Sequence, residues 1–198
     1  MSTLLMAEPQ PGTAGRPHLI AEFIKRGTAL LASRAGSALV FPAACATSAQ
    51  VSFAVRHSTG LIHAALRSSR LDQLRIPDQP VLGAEDSGHR FTVAVDATHG
   101  VSTGISSRDR ACTLRVLADP GAVPADLTRP GHILPIRCAD DPHPVARDRW
   151  DIAIQLVELA GYTPVAAVCE LVADDGDVLA DDAARLFADV HHLPVLNI

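Results

Sequence analysis

The stretch R-P-G-H-I-L-P-I-R, Arg129 to Arg137, sets Pro130 and Pro135 around an apolar run. A helix interior would break at Pro135, so the segment is expected to be an extended strand framed by its prolines. Upstream, F-T-V-A-V-D-A (91–97) alternates with period two and predicts a half-buried strand. Between the two lies S-T-G-I-S-S-R-D-R-A-C-T (102–113), where Ser106 or Ser107 can cap a helix that turns Ala111, Leu114 and Leu117 inward.

The same reading extends to both ends. L-I-A-E-F-I-K-R carries Ile20, Ala21, Phe23 and Ile24 at helical spacing, with Gly27 as its stop. T-A-L-L-A-S and S-A-L-V-F-P-A follow as extended runs too close together for an intervening helix. Thr47 or Ser48 caps a helix through Arg56, G-L-I-H-A-A-L is a strand, and Asp72 to Leu74 belong to a short helix. Past R-D-R-W-D (147–151), Ile152, Leu156 and Leu159 define a helix face closed by Gly161. P-V-A-A-V-C-E-L-V is a strand, D-D-G-D a hairpin turn, D-D-A-A-R-L-F-A-D-V-H-H a helix and V-L-N-I a last strand. Helices and strands mix without strict alternation, which predicts an α/β (α+β) domain with a mixed sheet flanked by helices. Residues 1–17, rich in Pro and Gly, are expected to be a flexible arm, and 18–198 one domain.

Composition narrows the function. A formal charge of -5 offers no broad basic footprint for nucleic acid or an anionic membrane. The longest apolar runs fall short of the roughly 20 residues a bilayer requires, and no basic start precedes an apolar block. A cytoplasmic protein with a small-molecule partner is the expectation. Cys45, Cys112, Cys138 and Cys169 show no C-x-x-C spacing, so they are read as reduced and mostly buried thiols. His191-His192 has no ligand partner at useful spacing and is read as a solvated helix end.

The order F-P-A (41–43), R-H-S-T-G (56–60), F-T-V-A-V-D-A, S-T-G-I-S-S-R-D-R-A-C-T, R-P-G-H-I-L-P-I-R, L-A-G (159–161) and V-C-E-L (168–171) resembles 3,4-dihydroxy-2-butanone 4-phosphate synthase over nearly the whole chain after the first 20 residues. The resemblance implies that family's fold and homodimers with interfacial active sites. It also implies a magnesium-dependent conversion of ribulose 5-phosphate to dihydroxybutanone phosphate and formate. Thr103, His132 and Glu170 stand at family pocket positions, and His63 stands where the family has a cysteine. In the family pattern an acidic D-D-E-D-R-E-N-E-G-D loop and the histidine of G-H-T-E-A hold the metal. Here R-A-G-S-A-L occupies the first place, and Arg149, Trp150 and Asp151 stand for the H-T-E of the second, with Arg147-Asp148 before them.

Those departures lead to an expectation of no metal and no cofactor, because magnesium needs oxygen ligands and arginine offers none. Glu170, His132, His63 and Arg149 become the candidate catalytic residues, and Trp150, Asp151, Thr103 and Arg147 the candidate substrate contacts. The function then expected is a metal-independent cyclase, isomerase or lyase on a more apolar, secondary-metabolite-type substrate. A non-catalytic binding or regulatory family member and a residual synthase are the alternatives. Each residue also has a plainer role: R-D-R-W-D as a surface helix start with the indole over the core, His63 as a core histidine, Glu170 as the partner of an arginine. Asp109-Arg110 is read as an internal ion pair.

Overall fold

The computed structural model describes residues 16–81, 88, 90–141 and 148–198. The expected arm is therefore outside the described residues except at its end, where Arg16 and Pro17 already belong to the first helix. The described elements are helices α1 (Arg16–Arg26), α2 (Ser48–His57), α3 (Ser68–Gln73), α4 (Ser107–Ala118), α5 (Arg149–Leu159) and α6 (Asp181–His191). The strands are β1 (Ala29–Ala32), β2 (Ala38–Pro42), β3 (His63–Arg67), β4 (Arg90–Phe91), β5 (Val95–Ala97), β6 (Leu127–Cys138), β7 (Val165–Glu170) and β8 (Val195–Asn197).

They form one mixed eight-stranded sheet in the order β4-β6-β3-β7-β2-β1-β8, with β5 also paired to β6. Strands β1 and β2 are buried along their whole length, as expected of strands covered on both faces. Val51, Leu71, Leu114 and Ala184 cover one face with α2, α3, α4 and α6, while Phe23 of α1 and Trp150, Ile154 and Val157 of α5 cover the other. The expected mixed α/β layering is what the chain adopts.

Local chemistry explains most boundaries. Thr47 and Gln50 exchange a reciprocal capping box at the start of α2, and Ser106 accepts the Asp109 N–H at the start of α4. Gly27 ends α1 at φ +70°. β1 and β2 are an antiparallel hairpin across Ser33–Ser37, closed by the Ser33 hydroxyl donating to the Gly36 carbonyl at 2.7 Å.

Two expectations need correction. F-T-V-A-V-D-A is not one strand: Phe91 of β4 pairs with Ile136, Val95 of β5 pairs with Ile133, and the register against β6 then shifts between Val95 and Asp96, which pairs with Thr128. Gly131 permits the crossing, since a Cβ there would lie 2.0 Å from the Val95 carbonyl carbon. The buried face of α5 is also rotated from the one read by spacing. Leu156 is buried as the spacing predicts, but Leu159 is 63% exposed, and Trp150, Ala153, Ile154 and Val157 share the inward side with Leu156. Asp148 caps that helix by accepting the Trp150 and Asp151 N–H groups at 2.9 and 3.0 Å, which commits the indole to the core side.

Candidate active site

Strand parity gathers three polar side chains at one end of the sheet, and a helix start adds a fourth. Ala38 is the Cα partner of Glu170, His63 that of Val168, and His63 also that of Leu134 in β6. Glu170 follows Val168 by two residues and His132 precedes Leu134 by two. All three polar side chains therefore project from the face that α5 covers, with about 7 Å of strand between successive same-face positions. The first turn of α5 brings in the fourth: the Arg149 guanidinium donates to Glu170 Oε1.

His63 is only 3% exposed. Its ring meets Trp150 at a centroid distance of 5.1 Å in an edge arrangement and Phe91 at 5.8 Å. Burial holds its pKa below the usual histidine value, with the Glu170 charge and the Leu134 backbone opposing. The plainer readings describe what these residues touch: His63 and Trp150 are core neighbours, and Glu170 pairs with an arginine.

A second constellation lies beside them. Asp96, which the sequence left unassigned, accepts the His132 backbone N–H on Oδ1 at 3.0 Å and places Oδ2 2.7 Å from His132 Nδ1. Gly104 (φ +86°) lies against that pair, so close that a Cβ would fall 1.9 Å from Asp96 Oδ2 and 2.7 Å from His132 Nδ1. Thr103 precedes it and is exposed. The loop is held by Asp109, which accepts the Ser102 N–H at 3.1 Å, the Ser102 hydroxyl at 2.7 Å and the Gly104 N–H at 3.2 Å. These hydrogen bonds, that from the Ser102 side chain foremost, keep the Asp109 carboxyl below the ordinary range. Arg110 instead donates to the Gly60 carbonyl at 3.0 Å, so the two neighbours serve different loops and not each other as an ion pair.

Asp151 does not join this group. It accepts from Arg67 at 3.0 Å, at the far end of β3 from His63, and lines a cleft of about 370 Å³ with Ser68, Arg90, Arg137 and Asp148. Arg147 lies outside the described residues. Sequence reading missed Asp96 as the partner of His132 because the two are 36 residues apart and meet only through β5–β6 pairing. Of the thiols, Cys138 and Cys169 are buried, Cys112 is half-buried and Cys45 is exposed.

The sheet order, the glycine-backed Asp96–His132 pair and the loops carrying Gly104 and Gly131 together make up the candidate site of a mixed α/β protein. The family model for 3,4-dihydroxy-2-butanone 4-phosphate synthase matches residues 32–198. The chain belongs to the 3,4-dihydroxy-2-butanone 4-phosphate synthase family. A riboflavin biosynthesis protein RibBA of Salinispora arenicola is 41% identical over 160 residues, and one of Mycobacterium ulcerans 39% over 162. Each alignment covers 81% of this chain and 38% of the relative, so the chain spans well under half of those proteins. A 3,4-dihydroxy-2-butanone 4-phosphate synthase solved in complex with two magnesium ions superposes with a TM-score of 0.84 at 32% identity, covering 91% of both chains. The Candida albicans synthase gives 0.83 at 32%, covering 91% of this chain and 92% of its own.

These relatives overturn the expected metal-independent enzyme repurposed for an apolar secondary metabolite. Sequences about 40% identical over four-fifths of the chain are named for riboflavin biosynthesis, and no finding points to a cyclase or isomerase.

Magnesium takes oxygen ligands, commonly one or two carboxylates with water. The β1–β2 turn, Ser33–Ser37, carries no carboxylate, and Glu170 is engaged by Arg149. Among the described residues no group of three or more His, Cys, Asp and Glu could hold a metal ion. No helix among the described residues is long and apolar enough to cross a membrane.

Proposed function

We propose that this chain carries out the lyase reaction of its family, turning ribulose 5-phosphate into 3,4-dihydroxy-2-butanone 4-phosphate and formate. The observation that carries the reading is the Asp96–His132 pair on the sheet face that also presents Glu170. Five carbons become four plus one, and the chemistry begins with proton removal beside a carbonyl. An imidazole fixed by a carboxylate through Nδ1 presents Nε2 as the proton-transfer atom, the arrangement general acid–base catalysis needs. Glu170, oriented by Arg149 through Oε1, offers its other oxygen to a substrate hydroxyl, and Thr103 borders the same opening. His63 and Trp150 form the floor and keep water from it.

The reading includes a cytoplasmic homodimer in which a second copy closes over the site, consistent with the exposure of Thr103 and the partial exposure of His132 and Glu170. A second reading, a non-catalytic binding or regulatory member of the family, is favoured by one observation: the Arg149–Glu170 pair occupies a carboxylate that a metal-dependent site would want free. Incubation with ribulose 5-phosphate and magnesium chloride, with formate measured by a coupled dehydrogenase, separates the two. Formate released by the wild type and lost in His132→Ala supports the lyase. No release above the variant's background, with ribulose 5-phosphate binding retained, supports the second reading.

A further inference from the structure

Most charged and ring groups find partners in the fold. Arg137 meets Asp72 and Asp78, and Arg67 meets Asp151. The His191 ring packs 4.8 Å from His57 and 4.4 Å from Phe187, centroid to centroid, in place of the expected solvated helix end. Arg110 is the exception. It is 7% exposed, and among the described residues it is the one lysine or arginine that is buried. Its guanidinium donates to the Gly60 carbonyl at 3.0 Å, its Nε is buried with no partner, and it forms no ion pair with a described carboxylate. A buried cation without a contact partner is costly, so a compensating charge has to stand close by.

Burial works against the charge on Arg110, while Cys169 and Asp96 work for it. Cys169 is no anion near neutral pH, because burial raises its pKa above the ordinary thiol value. Asp96, itself 7% exposed, is therefore the counter-charge. The local frame puts it there. One turn beyond Arg110, the Thr113 hydroxyl oxygen accepts the Ala97 N–H at 2.9 Å and docks β5 on α4. Because α4 covers the sheet face opposite α5, the guanidinium approaches Asp96 from behind the candidate site.

We propose that Arg110 is a positioning residue for His132: from behind Asp96, its guanidinium holds the Asp96–His132 pair in the charge state that leaves Nε2 free to accept a proton. With one proton, on Nδ1, the pair carries a net negative charge, and a second proton on Nε2 makes it neutral. A carboxylate by itself draws that second proton onto the ring, and a fixed cation behind the carboxylate offsets the pull. The other titratable groups beside the ring are accounted for. Glu170 of β7 is paired by Arg149 of α5, Asp109 of α4 is held by Ser102 and Gly104, and burial keeps His63 of β3 below the ordinary histidine value. The inference rests on the lyase reading for its effect on turnover, and on geometry alone for the state of the ring.

The test follows the His132 ring of the full chain by nitrogen-15 chemical shift against pH, assigned with His132→Ala, beside kcat and KM for formate release. In Arg110→Met the midpoint for double protonation of the ring is expected to rise by about one pH unit, the acid limb of kcat to rise with it, and KM to stay within about twofold. Arg110→Gln, which keeps a donor for the Gly60 carbonyl, is expected to follow Arg110→Met. Arg110→Lys, which keeps the charge, is expected to follow the wild type. Should Arg110→Met fail to fold, Arg110→Gln against Arg110→Lys decides the same question. A ring midpoint unchanged in the neutral variants, or shifted equally by Arg110→Lys, overturns the proposal. A midpoint shifted as expected, with no formate released even by the wild type, supports the charge role of Arg110 while the lyase reading fails.

Discussion

Asp96 grips His132 twice, once through the backbone N–H on Oδ1 at 3.0 Å and once through the ring at Nδ1, 2.7 Å from Oδ2. A carboxylate can only accept, so the neutral imidazole carries its proton on Nδ1 and turns an acceptor Nε2 outward. Nitrogen-15 chemical shifts of the His132 ring are expected to report the Nδ1–H tautomer. In Asp96→Asn that preference is lost, because the amide can donate as well as accept. If the ring serves as the acid–base group, formate release from ribulose 5-phosphate falls about a hundredfold in this variant, the low end of what general acid–base catalysis contributes. The loss is expected in kcat and not in KM. An unchanged tautomer in Asp96→Asn would show that the carboxylate does not set the ring.

Gly104 and Gly131 are required for different reasons. A Cβ at Gly104 collides with the Asp96 carboxylate at 1.9 Å and must also adopt φ +86°, while one at Gly131 meets the Val95 backbone at 2.0 Å. Gly60, at φ +74°, has nothing within 4 Å. Gly60→Ala is expected to cost about 1 kcal/mol from backbone strain alone. That corresponds to a fall of roughly 2–4 °C in melting temperature for a chain of this size. Gly104→Ala should cost more and disrupt the His132 tautomer as well. Gly131→Ala should be the most damaging, since backbone cannot swing aside as a side chain can. Thermal denaturation of the three variants checks the order.

How legible this was in the sequence depended on the range of the interaction. Capping at Thr47 and Ser106, the Gly27 stop and the inward stripe of α4 are local, and the chain spells them out. The leucine spacing of α5 holds at Leu156 and fails at Leu159, because the inward side is centred on Trp150, Ile154 and Val157, with the helix start set by the Asp148 cap. Long-range contacts were the harder part. The sequence offers Glu170 an arginine partner without saying which, and the choice of Arg149 follows only from where β7 ends relative to the start of α5. Asp96–His132 and the His57–His191 cluster are likewise products of strand register and helix packing, which no local pattern announces.

The Arg149–Glu170 ion pair should be a modest stabiliser. The side chains are 20% and 42% exposed, so solvent screening reduces the attraction well below that of a buried pair. A double-mutant cycle with Arg149→Ala and Glu170→Ala is expected to give a coupling of about 0.5–1 kcal/mol, shrinking in 0.5 M sodium chloride. A coupling near zero at low salt would mean that the pair orients the carboxylate without holding the fold. Activity then discriminates: in the lyase reading Glu170→Ala loses formate release, whereas Arg149→Ala loses less.

His63 and Trp150 supply a pH readout. Trp150 is the only tryptophan and is 3% exposed, so its emission belongs to the buried region next to the imidazole 5.1 Å away. The pKa of His63 is lowered by burial in the folded chain, so the neutral ring is the form that fits. A depressed folded pKa contributes stability that is present above the unfolded value near 6.5 and lost as pH falls through the folded value. Acidification below pH 6.5 is therefore expected to lower the melting temperature of the wild type more than that of His63→Gln, which has nothing to titrate there. Imidazolium quenches a neighbouring indole, so Trp150 emission should dim over the same interval, with its midpoint below 6.5 and before the protein unfolds. In His63→Gln the dimming should vanish while the emission maximum stays that of a buried indole. Dimming that persists in the variant would assign the quencher to another group and remove His63 from the floor beneath Glu170.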